Sequence, residues 1–162
     1  MPRAATTTGE AIGQRRPFKH RRQEAVVALF VTADQVRRRY VDLFAVHGEI
    51  TFQQYNVLRI LRGAGPDGLA TLAIAERMME RTPGITALLD RLESKGLVAR
   101  AASPGDRRQI LRQVTQRGLD VLAGLDPDMD RLDAQTLGCL SDANLDRMIS
   151  LLDQVRAHNT DA

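Results

Sequence analysis

Cysteine is all but missing. Cys139 is the only one in 162 residues, so neither a disulfide within one chain nor a cysteine-based zinc cluster can form. With no tryptophan, four Phe and two Tyr, the core falls to Leu, Val, Ile, Ala and Met, a palette suited to packed helices. No stretch reaches the roughly 18 consecutive apolar residues of a membrane span, and no apolar run follows the early basic residues as a secretory signal requires. The expectation is a soluble, cytoplasmic chain with no membrane partner. His20, His47 and His158 are scattered, and no Ser-His-Asp, paired-carboxylate or phosphate-cradling glycine spacing is visible, so neither an enzyme nor a cofactor is expected. His47 with Glu49 falls short of a metal ligand set. Cys139 lies between Gly138 and Leu140 without an adjacent cation to stabilise a thiolate, which argues against redox sensing.

Charge is present but unevenly spread. The chain carries a formal +3 overall; residues 1–22 hold six Lys/Arg against one acid, residues 67–118 nine against six, and residues 119–162 three against nine. A basic front and an acidic back suit a protein with one surface turned to a polyanion.

Residues 1–21 lack apolar periodicity and are expected to form a flexible basic tail, with Arg15, Arg16, Lys19, Arg21 and Arg22 near its end. Residues 22–157 read as one domain, followed by a short tail at 158–162. From Gln23 to Val46, apolar residues recur every three or four positions (Val26, Leu29, Phe30, Ala33, Val36, Tyr40, Leu43, Phe44), which predicts one long amphipathic helix. Thr51 with Gln54 three residues on is a capping-box pattern opening a second helix through Phe52, Tyr55, Leu58 and Leu61, stopped at Gly63. Gly65-Pro66-Asp67-Gly68 is turn chemistry. A third helix, about Thr71 to Met79, is expected to bury Leu72, Ala75, Met78 and Met79. Thr115 is placed to cap a helix whose apolar stripe runs through Pro127, where a bend or break is expected, and Ser141 a last one carrying Leu145, Met148, Ile149, Leu152 and Val155.

The most informative segment is Leu69 to Thr115. After the third helix, Thr82-Pro83 is a helix start with Thr as N-cap and Pro at the first helical position. Ile85, Leu88, Leu89 and Leu92 form a buried stripe, and Gly96 is suited to a left-handed stop. Two strand-like runs, Val98–Ala102 and 109–114, flank Ser103-Pro104-Gly105-Asp106-Arg107-Arg108, a turn. Helix, turn, helix and basic hairpin in that order predict a mainly α fold: a winged helix-turn-helix with a two-stranded wing, a device for reading double-stranded DNA. On that reading Thr82, Gly84, Thr86 and Ala87 are small enough to enter a major groove, and Thr86 carries both a hydroxyl for a base edge and a methyl for thymine. Arg91 reaches a phosphate or guanine. Arg107 and Arg108 suit minor-groove or phosphate contact at the wing tip, with Asp106 as a brace that holds an arginine. Arg100 and Arg112 on the strands are further candidates for phosphate. An architectural DNA binder without sequence preference, or a protein-interaction module on the same fold, uses the same elements.

The stretch LLDRLESKGLVAR, followed by SPGDRR and VTQRG (Leu88 to Gly118), together with ITFQQYNVLRIL (Ile50 to Leu61), resembles the MarR (multiple-antibiotic-resistance regulator) family of transcription factors. The resemblance runs from about Val26 to Val155. It implies a winged helix at about 51–115 and dimerisation helices at about 23–46 and 116–157. A homodimeric repressor on a pseudo-palindromic operator follows, with release by a small-molecule effector. The wide apolar stripes of the terminal helices agree, because one 162-residue chain has little with which to cover them. The resemblance also implies an aromatic-acid effector pocket, for which Tyr40, Phe44, His47, Tyr55 and Arg59 are the candidates. Ala87 departs from the family, which often places a larger polar or basic side chain there.

Overall fold

Thr7 and Glu10 open the structure with a polar device: in this computed structural model, which describes residues 6–80, 83–102 and 110–160, their side chains cap each other's backbone in a reciprocal capping box. That box holds a one-turn helix, α1 (Thr8–Ala11). The chain turns through Gly13 at φ 65°. It then enters α2 (Arg21–His47), capped by the His20 ring, which accepts the Gln23 N–H, and closed by Gly48 at φ 69°. A capped helical turn thus falls within the segment read as a flexible tail. Apolar periodicity, the criterion used for that reading, is blind to a turn held by a Thr-x-x-Glu box.

The chain divides into two compact units, 1–53 and 54–162. In the first, the Phe52 ring packs against both Tyr40 and Phe44, with centroids 5.7 and 5.8 Å apart. Phe44 is the one buried residue of α2, while Phe30 is 71% and Val46 87% exposed.

The second unit begins within α3 (Phe52–Ala64). A 3-10 turn at Gly65–Asp67 leads into β1 (Leu69–Ala70), α4 (Thr71–Arg77), α5 (Ile85–Ser94), β2 (Val98–Ala102), β3 (Ile110–Val114), α6 (Gln116–Leu137) and α7 (Asp142–Thr160). Mostly helix with one small sheet, this matches the expected fold class. The antiparallel sheet has the order β1-β3-β2, with Arg112 opposite Leu69 on one side and Arg100 on the other. β1 adds a third strand to the two-stranded wing. Its two residues are too few to leave a pattern in the sequence.

Val57, Leu58, Leu61, Ile74, Leu89, Leu92, Leu97, Val98 and Leu122 form the most deeply buried part of the core. Such a set sequesters apolar area at about 25 cal/mol per Å². The phase expected for α4 is corrected: Ile74 is fully buried, whereas Leu72 is 71% exposed and Met79 also faces outward. Seven residues make less than two turns, too short for periodicity to fix which face points in. Pro127 does not break α6. The residue that loses its backbone partner, Ala123, is exposed, so water can satisfy its carbonyl. On α7 no residue is buried; Ile149, Leu151 and Val155 lie open. Among the described residues, no helix is long and apolar enough to cross a membrane.

Candidate nucleic-acid interface

Helix α5 separates its residues cleanly by face. Leu88, Leu89 and Leu92 are buried, while Gly84, Thr86, Ala87, Asp90, Arg91 and Ser94 are exposed, as the apolar spacing requires. The helix begins two residues later than Pro83 suggested. Gly84 takes the N-cap position at φ 80°, with no side-chain cap. A left-handed residue cannot lie inside a right-handed helix, so Pro83 belongs to the preceding turn. Thr82, proposed as both cap and groove contact, lies outside the described residues. At the other end Gly96, at φ 71°, stops the helix as expected. The exposed first turn therefore presents little beyond a glycine, a threonine hydroxyl and two methyls, a surface slim enough to press between phosphate walls. Arg91, one turn on, forms no ion pair among the described residues.

Strands β2 and β3 form the hairpin behind this helix. Asp106, Arg107 and Arg108, the expected wing tip, lie outside the described residues.

The strand arginines do not behave as phosphate candidates. Arg100 donates from Nε to Glu93 Oε2 at 2.8 Å and from Nη2 to Asp90 Oδ1 at 3.0 Å. Arg112, its cross-strand neighbour, approaches the same two carboxylates, with Nη1 2.8 Å from Glu93 Oε2 and Nη2 3.5 Å from Asp90 Oδ1. The Arg112 side chain is only 6% exposed, and its Nε is buried without a hydrogen-bond partner. Hydrogen bonding from Arg100 holds the Glu93 carboxyl below its ordinary range, with Arg112 adding to the effect against the opposing cost of desolvation. Both arginines thus face the protein's own recognition-type helix. The sequence carried a signal for this: strand alternation places Arg112 between Ile110 and Val114 on one face, and Asp90 and Glu93 lie three apart on α5. Gln54, read as the capping-box partner of Thr51, is buried on α3 and accepts a hydrogen bond from Lys95 Nζ at 3.3 Å, while Asn56, also buried there, escaped the sequence reading.

The effector candidates divide between the two units. Tyr40, Phe44 and His47 belong to the first, where Tyr40 and Phe44 share the Phe52 cluster and His47 is exposed. Tyr55 and Arg59 belong to the second. Burial pushes the Tyr55 phenol up, with the Arg59 charge pulling the other way. A separate pocket of about 400 Å³ in the second unit is lined by Arg62, Gly65, Pro66, Gln113, Val114 and Leu119, and none of the five candidates lines it. Among the described residues no group of three or more His, Cys, Asp or Glu is placed to hold a metal ion.

Two helices joined by a short turn, the second exposed along its N-terminal half and backed by an antiparallel hairpin, define a winged helix-turn-helix. Comparison with known proteins agrees. A sequence model of the MarR family matches residues 50–110. The chain is 35% identical over 128 residues to the HTH-type transcriptional regulator TtmR of Methylorubrum extorquens, a match covering 79% of this chain and 62% of that regulator. A MarR transcription factor from Planctomyces limnophilus has a similar crystal structure, with 36% identity and a TM-score of 0.63 over 85% of this chain and 99% of that one. The PcaV regulator of Streptomyces coelicolor, solved in complex with its natural ligand, is 26% identical, with a TM-score of 0.66 over 78% and 90% of the two chains. The chain belongs to the MarR family, whose members are transcription factors rather than enzymes.

Proposed function

We propose that the protein is a homodimeric, sequence-specific transcriptional repressor in the cytoplasm, placing one α5 from each subunit in successive major grooves of a pseudo-palindromic operator. The observation that carries this reading is α5 itself: a slim exposed surface at Gly84, Thr86 and Ala87, with Arg91 behind it, on a helix anchored by Leu88, Leu89 and Leu92. Arg107 and Arg108 at the wing add minor-groove or phosphate contacts, braced by Asp106. Exposed apolar rows on α2 and α7 support the dimer, since faces of this kind on a small protein mark association surfaces. The ligand-bound neighbour PcaV supports control by a small molecule, for which an aromatic acid is the candidate class.

The test is selection of bound duplexes from a random pool, followed by titration of the winning palindrome. Arg91→Ala is expected to weaken all duplexes alike and to reduce the salt slope by about one unit, whereas Thr86→Ala changes preference at particular bases by roughly 1 kcal/mol or more. Recovery of no consensus at all favours an architectural binder, because phosphate contacts alone give affinity without choice. Adding salicylate-like acids to the bound complex then tests release.

A further inference from the structure

Asp90 and Glu93 pose a problem for a helix that lies against DNA. Both sit on α5, and duplex DNA carries one negative charge per about 1.7 Å of axis. Arg100 alone already hydrogen-bonds both carboxylates. Geometry therefore does not require a second guanidinium, yet Arg112 supplies one from inside the sheet, 6% exposed and with an orphaned Nε. Burying an arginine this way carries a desolvation penalty that an apolar side chain of similar volume avoids, so fold stability does not explain the choice. The charge count does. With Arg100 alone the cluster on this face of α5 is net −1; with Arg112 it is neutral.

We propose that Arg112 is a positioning residue for DNA binding. It neutralises the second carboxylate of the Asp90–Glu93 pair and draws both side chains toward the sheet, away from the approaching phosphates. It touches no DNA itself and acts through Glu93 and Asp90. The proposal rests on α5 being the groove-reading helix.

The experiment compares wild type, R112L, E93Q and R112L/E93Q by operator titration across a salt series, with urea melts alongside. R112L is expected to lower the urea midpoint only modestly, since Arg100 still pairs both carboxylates, and to bind about tenfold more weakly near 50 mM salt, the deficit closing toward 1 M as screening removes the uncovered charge. Adding E93Q to R112L is expected to restore affinity to within about twofold at every salt concentration, a rescue that lost packing does not produce. Wild-type affinity in R112L, a deficit independent of salt, or failure of E93Q to rescue it overturns the proposal. Should R112L not fold, E93Q alone decides: with Arg112 intact it leaves the cluster net +1 and is expected to tighten binding about threefold, and unchanged or weaker binding overturns the idea. If the wild type binds no duplex, the groove-reading role of α5 fails instead, which separates the two conclusions.

Discussion

The hydroxyl of Thr115 donates to the carbonyl oxygen of Gly96 at 2.7 Å, joining the first residue outside α6 to the left-handed residue that ends α5. The same oxygen accepts the Gly118 N–H at 3.1 Å as the N-cap of α6. One side chain therefore serves two helices. Thr115→Ala is expected to lower stability by about 1 kcal/mol or somewhat more, since it removes a cap and strips a carbonyl of its partner. Thr115→Ser should recover most of the loss in a urea titration.

Gly118 and Gly124 make a matched pair on α6. A Cβ on Gly118 meets the Leu97 carbonyl oxygen and lies 2.8 Å from Val114 Cγ2, while one on Gly124 meets nothing within 4 Å. Gly118→Ala is expected to destabilise by about 1–3 kcal/mol through overpacking against backbone. Gly124→Ala is expected to stabilise by about 0.5–1 kcal/mol, because a helix-interior glycine gives up more conformational freedom than alanine. Thermal melts of the two variants should move in opposite directions.

The arginine–carboxylate cluster gives the protein a pH signature. Glu93 is held below its ordinary 4.5, first by Arg100 and then by Arg112. A lowered carboxyl pKa contributes stability that is complete above the unfolded value and disappears as pH falls through the folded one. Unfolding midpoints of wild type and E93Q should therefore differ above the ordinary carboxyl range and converge as pH falls below it, through the lowered folded value. A difference that persists undiminished into strong acid removes Glu93 as its source.

Phe30 on α2 and Ile149 on α7 are more than half exposed. If these faces meet a second copy, Phe30→Asp and Ile149→Asp buy solubility at the expense of assembly and shift sedimentation toward the single subunit. Unchanged sedimentation at every concentration excludes those faces from the contact.

Strong, repeated patterns were legible in the sequence. Leu88, Leu89 and Leu92 specified the buried side of α5 because ten residues complete nearly three turns, and Gly96 announced its end because little else takes φ 71° there. The wing strands followed from their turn. What escaped was short or decided by partners distant in sequence. Seven-residue α4 was read out of phase, α1 was hidden because its bonds are polar, and β1 exists only because β3 is there to pair with it. Arg112 was taken for a surface cation because charge suggests exposure; the acids that bury it lie 19 and 22 positions away. Thr82 was placed at a cap that Gly84 occupies, since a left-handed glycine beginning a helix is rarer than one ending it.

Gly68, at φ 69°, lies so close to β3 that a Cβ there sits 2.5 Å from the Arg112 carbonyl oxygen. Backbone approaches backbone here, and the Gln113 side chain crowds the same spot. The entry to α4 and the middle strand of the wing are thereby held in close contact, with Leu69 and Ala70 paired to the same strand. Any side chain at position 68 has to part those two segments, so the wing keeps its seat only while glycine stands there.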